Sequence, residues 1–113
     1  MGNSQASSAS NMEVREFIQN EINKNDVVIF SKSYCGYCTQ TKQTFQSKGI
    51  TSGVTVHELD RIENGSGIQQ ELAKMTKQRT VPNVFVKGQH IGGNDNTQRA
   101  FSTGEIEKLL NAN

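Results

Sequence analysis

The sequence predicts an α/β fold in which a four-stranded mixed sheet carries helices on both faces. One observation is the run of four apolar residues at 27–30, which is typical of a strand covered on both sides. The other is the order of predicted elements, namely helix, strand, helix, strand, helix, hairpin and helix. Strands joined by a helix are expected to be parallel, with a right-handed crossover, and the strands of a hairpin must be antiparallel. A mixed sheet between two helical layers accommodates both connections.

The first helix is predicted over about residues 12–24. Ser10 and Glu13 form a capping box, and apolar residues follow at helical spacing from Val14 onwards. Residues 1–11 carry no charge and almost no apolar side chain that could be buried. Such a segment cannot offset the entropy lost on ordering, so it is predicted to be a disordered tail. The folded domain is then expected to span residues 12–113.

The middle of the chain supplies two further helices and a strand. Residues 36–48 contain no proline and are interpreted as a helix that ends at Gly49. Residues 54–59 alternate between apolar and polar side chains, which favours a strand. Ser66 and Gln69 form a second capping box, which predicts the start of a third helix.

The last part of the chain predicts a hairpin and a final helix. The apolar residues 84–86 and the short stretch 90–91 flank a turn at 87–89. Ser102 and Glu105 form a third capping box, followed by apolar residues at helical spacing.

Composition narrows the classes of function. A chain of 113 residues suits one domain, and its net charge of +1, with both signs mixed, gives no reason to expect nucleic-acid binding. The longest apolar run is far too short for a membrane span. The N-terminus lacks the features of a secretory signal, and Ala6 stands where myristoylation after Gly2 would need Ser or Thr. A cytoplasmic protein is therefore expected.

The chain has two cysteines, Cys35 and Cys38, and this spacing usually indicates redox chemistry or metal binding. Structural zinc is the alternative. Zinc prefers four ligands, however, and the only histidines, His57 and His90, do not stand in the spacing of a ligand pair. The sequence therefore favours a redox pair and no metal site.

The two cysteines are expected to differ in chemistry. Cys35 lies between a buried strand and a helix, where unpaired N–H groups and the helix dipole favour an anion. Lys32, just upstream, adds positive charge. Cys38 lies one helical turn further on the same face, close enough to form a disulfide and shielded by the turn before it. Cys35 is thus predicted to be the nucleophile, with Cys38 as its partner.

Three motifs together carry a resemblance to a known family. They are Cys-Gly-Tyr-Cys at 35–38, Thr-Val-Pro at 80–82 and Gly-Gly at 92–93. Over residues 12–112 the chain resembles the dithiol glutaredoxins of the thioredoxin-like superfamily. The resemblance implies a thioredoxin-like three-layer sandwich, a role in cell redox homeostasis and electron transport, and glutathione as the bound co-substrate.

The resemblance also implies a set of glutathione contacts. The candidate residues are Lys32, Tyr37, Gln69, Val81, Pro82, Gly93, Asn94 and Asp95. Lys32 and Gln69 would hold the glycine carboxylate of glutathione. Val81 would pair with its cysteinyl part through the main chain, Pro82 would be cis, and Tyr37 would line the groove. The last three residues of the set would receive the γ-glutamyl end.

Structural alternatives exist for several of these residues. Gln69 could be only the second half of its capping box, and Asp95 could be only the N-cap of a helix through residue 101. Lys32 could be a solvated surface lysine, and the glycines at 92–93 could form a plain turn. Asn96 departs from the family, which often has an acid there, near the amino group of glutathione.

The implied function is that of a glutathione-dependent thiol–disulfide oxidoreductase. Its substrates would be protein–glutathione mixed disulfides and some protein disulfides, and it would act as a monomer. One alternative arises from Gly36, which replaces the more common proline. Some glutaredoxins of this kind form a dimer around a 2Fe–2S cluster, as iron–sulfur carrier or redox sensor, with the residue equivalent to Cys35 as ligand. Another alternative, a non-catalytic interaction module, is disfavoured by the intact cysteine pair.

Overall fold

The computed structural model describes the backbone of residues 3–112 and the side chains of residues 11–112. Its elements in chain order are α1 (Asn3–Lys24), β1 (Val27–Ser31), α2 (Gly36–Ser47), β2 (Val54–Glu58), α3 (Gly65–Thr76), β3 (Asn83–Val86), β4 (Gln89–Gly92), α4 (Asn94–Ser102) and α5 (Glu105–Asn111). The predicted order of elements is confirmed, except that the final helical region is divided into α4 and α5.

The four strands form one mixed sheet in the order β2-β1-β3-β4. β1 runs parallel to β2 and antiparallel to β3, and β3 pairs with β4 as an antiparallel hairpin. The hairpin turn contains Lys87 (φ 51°) and Gly88 (φ 79°), and positive φ at both central residues is typical of a two-residue hairpin loop. The predicted four-stranded mixed sheet with helices on both faces is confirmed.

The side chains of the sheet alternate between two hydrophobic clusters. The first, which we call the α1/α3 face, contains Val14, Ile18, Val28, Phe30, Leu59, Ile68, Leu72 and Phe85. The second, which we call the α2/α4/α5 face, contains Val27, Ile29, Phe45, Val84, Val86, Ala100, Phe101 and Ile106. β1 contributes to both clusters because successive side chains of a strand point to opposite faces.

The N-terminal helix begins earlier than predicted. α1 spans Asn3–Lys24, so Ser10 and Glu13 lie inside the helix and do not cap its start. Neither glycine nor proline occurs between Asn3 and Lys24, so no residue of this stretch interrupts the helix. Residues 3–11, predicted as a disordered tail, are thus helical here, and residues 1–2 lie outside the described residues. The domain boundary near Met12 stays a prediction.

The other two predicted capping boxes are also wrong. The N-cap of α3 is Asn64, followed by Gly65, where an added Cβ would lie 1.7 Å from the carbonyl oxygen of Leu59. This close approach of two backbone segments sets the start of α3. α5 has Gly104 (φ 82°) as its N-cap, while the Ser102 hydroxyl donates to the carbonyl of Arg99 in the last turn of α4.

Candidate active site

Cys35 is the N-cap residue of α2, with an extended backbone (φ −90°, ψ 121°). Its Sγ accepts a hydrogen bond from the backbone N–H of Cys38 at 3.3 Å. The backbone N–H of Cys35 donates to the carbonyl of Lys32 at 3.0 Å, which tightens the turn between β1 and α2. The sulfur therefore lies where the free N–H groups of a helix favour negative charge, and the predicted position of Cys35 is confirmed.

Cys38 is buried one turn further along α2. Burial and the hydrogen bond with Cys35 raise the pKa of the Cys38 thiol to about 11. At neutral pH Cys38 is therefore a protonated thiol. Cys35, by contrast, is only half-buried, and both residues are free cysteines. The fold thus presents one accessible sulfur and keeps a second, protonated one behind it.

The segment that leads into Cys35 is hydrogen-bonded to the residues that directly follow β2. Ser33 donates two hydrogen bonds to the Asp60 carboxylate, one from its hydroxyl and one from its backbone N–H at 2.8 Å. These two bonds lower the pKa of the Asp60 carboxyl, so the carboxylate stays ionised at neutral pH. The backbone N–H of Leu59 donates to the carbonyl of Ser31 at 2.7 Å. The turn before the cysteines is therefore anchored to the end of the neighbouring strand.

Residues 80–82, which we call the groove loop, lie opposite Cys35. The Val81–Pro82 peptide bond is cis, as the resemblance implies. The Cys35 Sγ lies 3.8 Å from the carbonyl oxygen of Val81. Val81 thus brings the main chain of the groove loop next to the accessible sulfur.

An open groove of about 530 Å³ runs from the groove loop to the start of α4. It is lined by Tyr37, Thr80, Val81, Pro82, Gly93, Asn94, Asp95 and Asn96. Six of the eight candidate glutathione contacts line it, and the other two, Lys32 and Gln69, lie outside the lining. Sequence reasoning did not assign a contact to Thr80 or Asn96.

Lys32 and Gln69 take different positions. Lys32 is half-buried in the turn between β1 and α2, where its carbonyl accepts the Cys35 N–H. The Gln69 side-chain amide donates to the carbonyl of Arg79 at 2.9 Å, directly before the groove loop. Gln69 therefore ties α3 to the approach of the groove loop, leaving one amide hydrogen for another partner.

The far rim of the groove is built on Asn94, the first residue of α4. Its side chain is buried and points inward, where Oδ1 accepts from the hydroxyl of Thr41 at 2.8 Å. Its Nδ2 donates to the Oε1 of Gln40 at 3.1 Å, and its Oδ1 also accepts from Gln98. These three hydrogen bonds fix the Asn94 side chain, so its main chain and one remaining Nδ2 hydrogen are what it can offer to a ligand. Asp95 is exposed in the first turn of α4, whose N-cap is Gly93, so Asp95 is not the predicted N-cap.

Two residues that support the groove were missed from the sequence. Thr41 is fully buried on α2. Its position among the few inward-facing residues of that helix is the signal that could have identified it. Gln78 donates to the carbonyls of Thr80 and Pro82, on either side of Val81. No sequence signal identifies Gln78, because its contacts depend on the path of the groove loop.

Two kinds of feature are absent from the part of the chain that the structure describes. No described helix is long and apolar enough to cross a membrane. Among the described side chains, no three of the types His, Cys, Asp and Glu come together as a possible metal-binding group.

Comparisons with known proteins agree with this geometry. The Glutaredoxin family model matches residues 27–91, more than half of the chain. Glutaredoxin-C8 of Oryza sativa subsp. japonica is 46% identical over 95 residues, covering 84% of this chain and 70% of the relative. A glutaredoxin of Ricinus communis is 48% identical over 89 residues, covering 79% of this chain and 85% of the relative.

The fold is shared with solved structures as well. The crystal structure of a buckwheat glutaredoxin–glutathione complex superposes with a TM-score of 0.84 at 39% identity, covering 88% of this chain and 89% of that one. The fold is thus thioredoxin-like, and the pair of cysteines at 35–38 is the dithiol motif of this family. The chain belongs to the glutaredoxin family, whose members are thiol–disulfide oxidoreductases.

Proposed function

We propose that this protein uses glutathione to reduce protein–glutathione mixed disulfides and some protein disulfides, with Cys35 as the nucleophile. The observation that carries the proposal is the position of the Cys35 Sγ, at the N-terminus of α2 and 3.8 Å from the Val81 carbonyl oxygen. One end of the groove thus has a half-buried sulfur and the other end has the N-terminus of α4. A relative with 39% identity has been solved as a complex with glutathione.

In the first half-reaction the Cys35 thiolate attacks the glutathione sulfur of a mixed disulfide. A bond forms between Cys35 and the glutathione sulfur, the mixed disulfide breaks, and the protein substrate leaves as a thiolate that takes up a proton. In the second half-reaction the thiolate of another glutathione attacks the same glutathione sulfur. Oxidised glutathione forms and the Cys35 thiolate is regenerated. Overall, one free glutathione is oxidised and the protein thiol is released, while the glutathionyl group of the substrate becomes the other half of the oxidised glutathione.

Cys38 takes no part in that cycle. Its pKa of about 11 keeps the thiol protonated and therefore slow to attack the Cys35 adduct. When the substrate is a protein disulfide, Cys38 serves as the resolving thiol. It then loses its proton, closes a disulfide with Cys35 and releases the reduced protein.

The groove residues divide the recognition of glutathione among three segments. Val81 pairs with the cysteinyl part through its main chain, beside Pro82, while Tyr37 covers the groove from α2. At the start of α4, the residues 93–95 receive the γ-glutamyl carboxylate, which the unpaired N–H groups of a helix N-terminus attract. The glycine carboxylate goes to Lys32 and to the second amide hydrogen of Gln69, both from just outside the groove lining.

The deciding experiment is glutathione-coupled reduction of a small glutathione mixed disulfide by the wild type, Cys35→Ser and Cys38→Ser. Cys35→Ser is expected to lose activity, because a hydroxyl is not a nucleophile for this exchange at neutral pH. Cys38→Ser is expected to keep it or gain some, since the competing intramolecular disulfide no longer forms. An inactive wild type, or an inactive Cys38→Ser with intact folding, would contradict the proposed cycle.

A second candidate function, as a 2Fe–2S carrier or sensor, is favoured by Gly36. This glycine is exposed, and an added Cβ would meet nothing within 4 Å, so the surface beside Cys35 is open to a second subunit. A 2Fe–2S cluster needs four ligands, and each chain has one accessible thiolate. Two chains and two glutathione thiols would together supply the four. Anaerobic reconstitution followed by gel filtration tests this. A coloured dimer that needs glutathione supports the function, and a colourless monomer counts against it.

The remaining assignments follow from this chemistry. We expect a monomer in the absence of a cluster, with glutathione and glutathionylated or disulfide-containing proteins as partners. A cytoplasmic location suits an enzyme that draws electrons from glutathione, because the cytosol keeps that pool reduced.

A further inference from the structure

Gln78 connects the end of α3 with the groove loop. Its side-chain Nε2 donates to the carbonyl oxygen of Thr80 at 3.0 Å and to that of Pro82 at 2.9 Å. Both hydrogens of one amide are thereby used on the carbonyls that flank Val81. Among the described residues, the backbone N–H of Val81 pairs with no other group. Gln78 therefore holds the loop on both sides of Val81, whose backbone N–H is left for a ligand.

Gln78 is itself held by the protein. Its backbone N–H donates to the hydroxyl oxygen of Thr76 at 3.2 Å, and that hydroxyl donates to the carbonyl of Leu72 at 2.8 Å. The same Thr76 oxygen accepts from the side-chain amide of Asn83, a buried residue at the start of β3. A continuous set of hydrogen bonds thus runs from the end of α3 and the first residue of β3 to the groove loop.

The side chain of Gln78 also lies close to Gly93, on the other rim of the groove. Its Nε2 would lie 3.8 Å from a Cβ built on Gly93, the N-cap residue of α4. A single side-chain amide therefore lies between the two main-chain segments that border the groove. A change in the path of residues 80–82 would shift the main chain of Val81 relative to both Cys35 and Gly93.

We propose that Gln78 is a positioning residue for glutathione specificity, because it holds the groove loop so that the main chain of Val81 faces the bound substrate. This inference rests on the proposed function. Gln78 touches neither the reacting sulfur atoms nor the ligand and acts through Val81. Its loss lowers the rate with glutathione disulfides more than the rate with a disulfide that lacks glutathione.

The test compares two disulfides in one protein sample. Cys38→Ser protein, which stops at the mixed disulfide, reacts in separate stopped-flow runs with oxidised glutathione and with bis(2-hydroxyethyl) disulfide. In each reaction the Cys35 thiolate forms a bond to one sulfur and the other sulfur leaves as a thiolate. The ratio of the two rate constants measures selectivity for the glutathionyl group. Because both rates come from the same sample, a partly unfolded fraction cancels in the ratio.

Gln78→Met removes both hydrogen bonds and keeps a linear side chain of similar size. We expect the ratio to fall about tenfold, as the loss of two hydrogen bonds of modest net value predicts, with most of the fall in the rate toward oxidised glutathione. Gln70→Met is the matched control, since Gln70 is an exposed glutamine on α3 and its side chain makes no hydrogen bond within the described residues. The ratio for Gln70→Met should equal that of Cys38→Ser protein without a further substitution.

The outcomes separate the inference from the proposed function. A high ratio that survives in Gln78→Met, and in Gln78→Leu as a second variant, would overturn the positioning role while the proposed function stands. If Cys38→Ser protein with Gln78 intact reacts equally fast with the two disulfides, the protein does not select glutathione. The proposed function and the inference would then fail together. A fall in the ratio for Gln78→Met and not for Gln70→Met supports the inference.

Discussion

The two faces of the sheet bury different kinds of polar group. On the α1/α3 face the buried polar side chains include two carboxylates, Glu21 and Glu71. Glu21 pairs with His57 at 2.9 Å and with Lys24 at 3.0 Å, and Glu71 pairs with Arg15 at 2.7 Å. On the α2/α4/α5 face the buried polar side chains are the neutral Ser31, Thr41, Asn94 and Thr97. Among the buried side chains, the charged ones thus lie in pairs on one face and the neutral ones on the other, where the Lys42–Glu58 pair is only half-buried.

This difference separates stability from function. The paired charges tie α1 to α3 and to β2, away from the cysteines. The neutral network joins α2, which carries both cysteines, to α4, which forms the far rim of the groove. Changes on the α1/α3 face should therefore alter stability and its dependence on pH. Changes in the neutral network should alter the recognition of glutathione as well.

The largest expected effect is a loss of stability from the α1/α3 face. Phe30 is fully buried, stacks on His57 with ring centroids 5.4 Å apart and meets the Phe85 ring edge-on. Phe30→Ala should lower the free energy of unfolding by about 3–5 kcal/mol, because it leaves a cavity. Urea unfolding measures this, with Phe17→Ala, at a more exposed position on α1, as the control expected to cost less. The selectivity between the two disulfides should not change in the folded variant.

A smaller loss with a different signature is expected from Thr41→Val. The substitution removes the donor to Asn94 and should cost about 1–2 kcal/mol of stability. Because Asn94 begins α4, the rim of the groove should also shift, and the selectivity for oxidised glutathione should fall several-fold. Thr51→Val, at an exposed position in the loop before β2, is the control for both readouts. Thr41→Val with reduced stability and full selectivity would break the proposed division between the faces.

Acid should act in part through Glu21 on the α1/α3 face. Burial raises the pKa of Glu21, but the hydrogen bonds and charges of Lys24 and His57 outweigh it, and the net pKa lies below the ordinary value. A carboxyl with a lowered pKa contributes stability at neutral pH that is lost as the pH falls through its folded-state pKa. Glu21→Gln should therefore cost about 1 kcal/mol at neutral pH and flatten the fall in stability below about pH 4. Urea unfolding across this range checks it, and a wild-type-like slope would contradict it.

The smallest effect is expected from removal of residues 1–11. Among the described side chains, Val14 is the first of α1 in the hydrophobic cluster, and residues 11–13 before it are exposed. Because residues 1–11 carry no charge and few apolar side chains, their deletion should change the free energy of unfolding by less than about 0.5 kcal/mol and leave activity intact. Thermal unfolding of the shortened chain measures this. A large drop in stability would place the domain boundary before Met12.

Local sequence signals identified many of the elements and the two cysteines. The end of α2 is an example, because Gly49 takes a left-handed conformation (φ 79°) that glycine accepts without strain. The capping box at Ser66 failed because it is a local preference worth about 1 kcal/mol, and the backbone contact between Gly65 and Leu59 outweighs it.

The groove could be predicted only in part. Its Thr-Val-Pro and Gly-Gly segments were found through the family resemblance, which carries information that composition and spacing lack. The inward orientation of Asn94 was not predicted, because its partner Thr41 is 53 residues away in the sequence. The role of Gln78 was not predicted for a related reason. The hydrogen-bond partners of its side chain depend on the conformation of residues 80–82, which the sequence does not specify locally.

The sequence by itself determined which sulfur stands at a helix N-terminus and which lies behind it, because a buried strand, a turn and a helix are neighbours along the chain. Only the tertiary structure decided what faces that sulfur. β3 inserts beside β1 and thereby brings residues 80–82 to Cys35, while the hairpin and α4 close the far rim at Gly93. These contacts join segments far apart in sequence. They form only because the sheet and both hydrophobic clusters bury enough apolar surface to offset the entropy of closing the intervening loops.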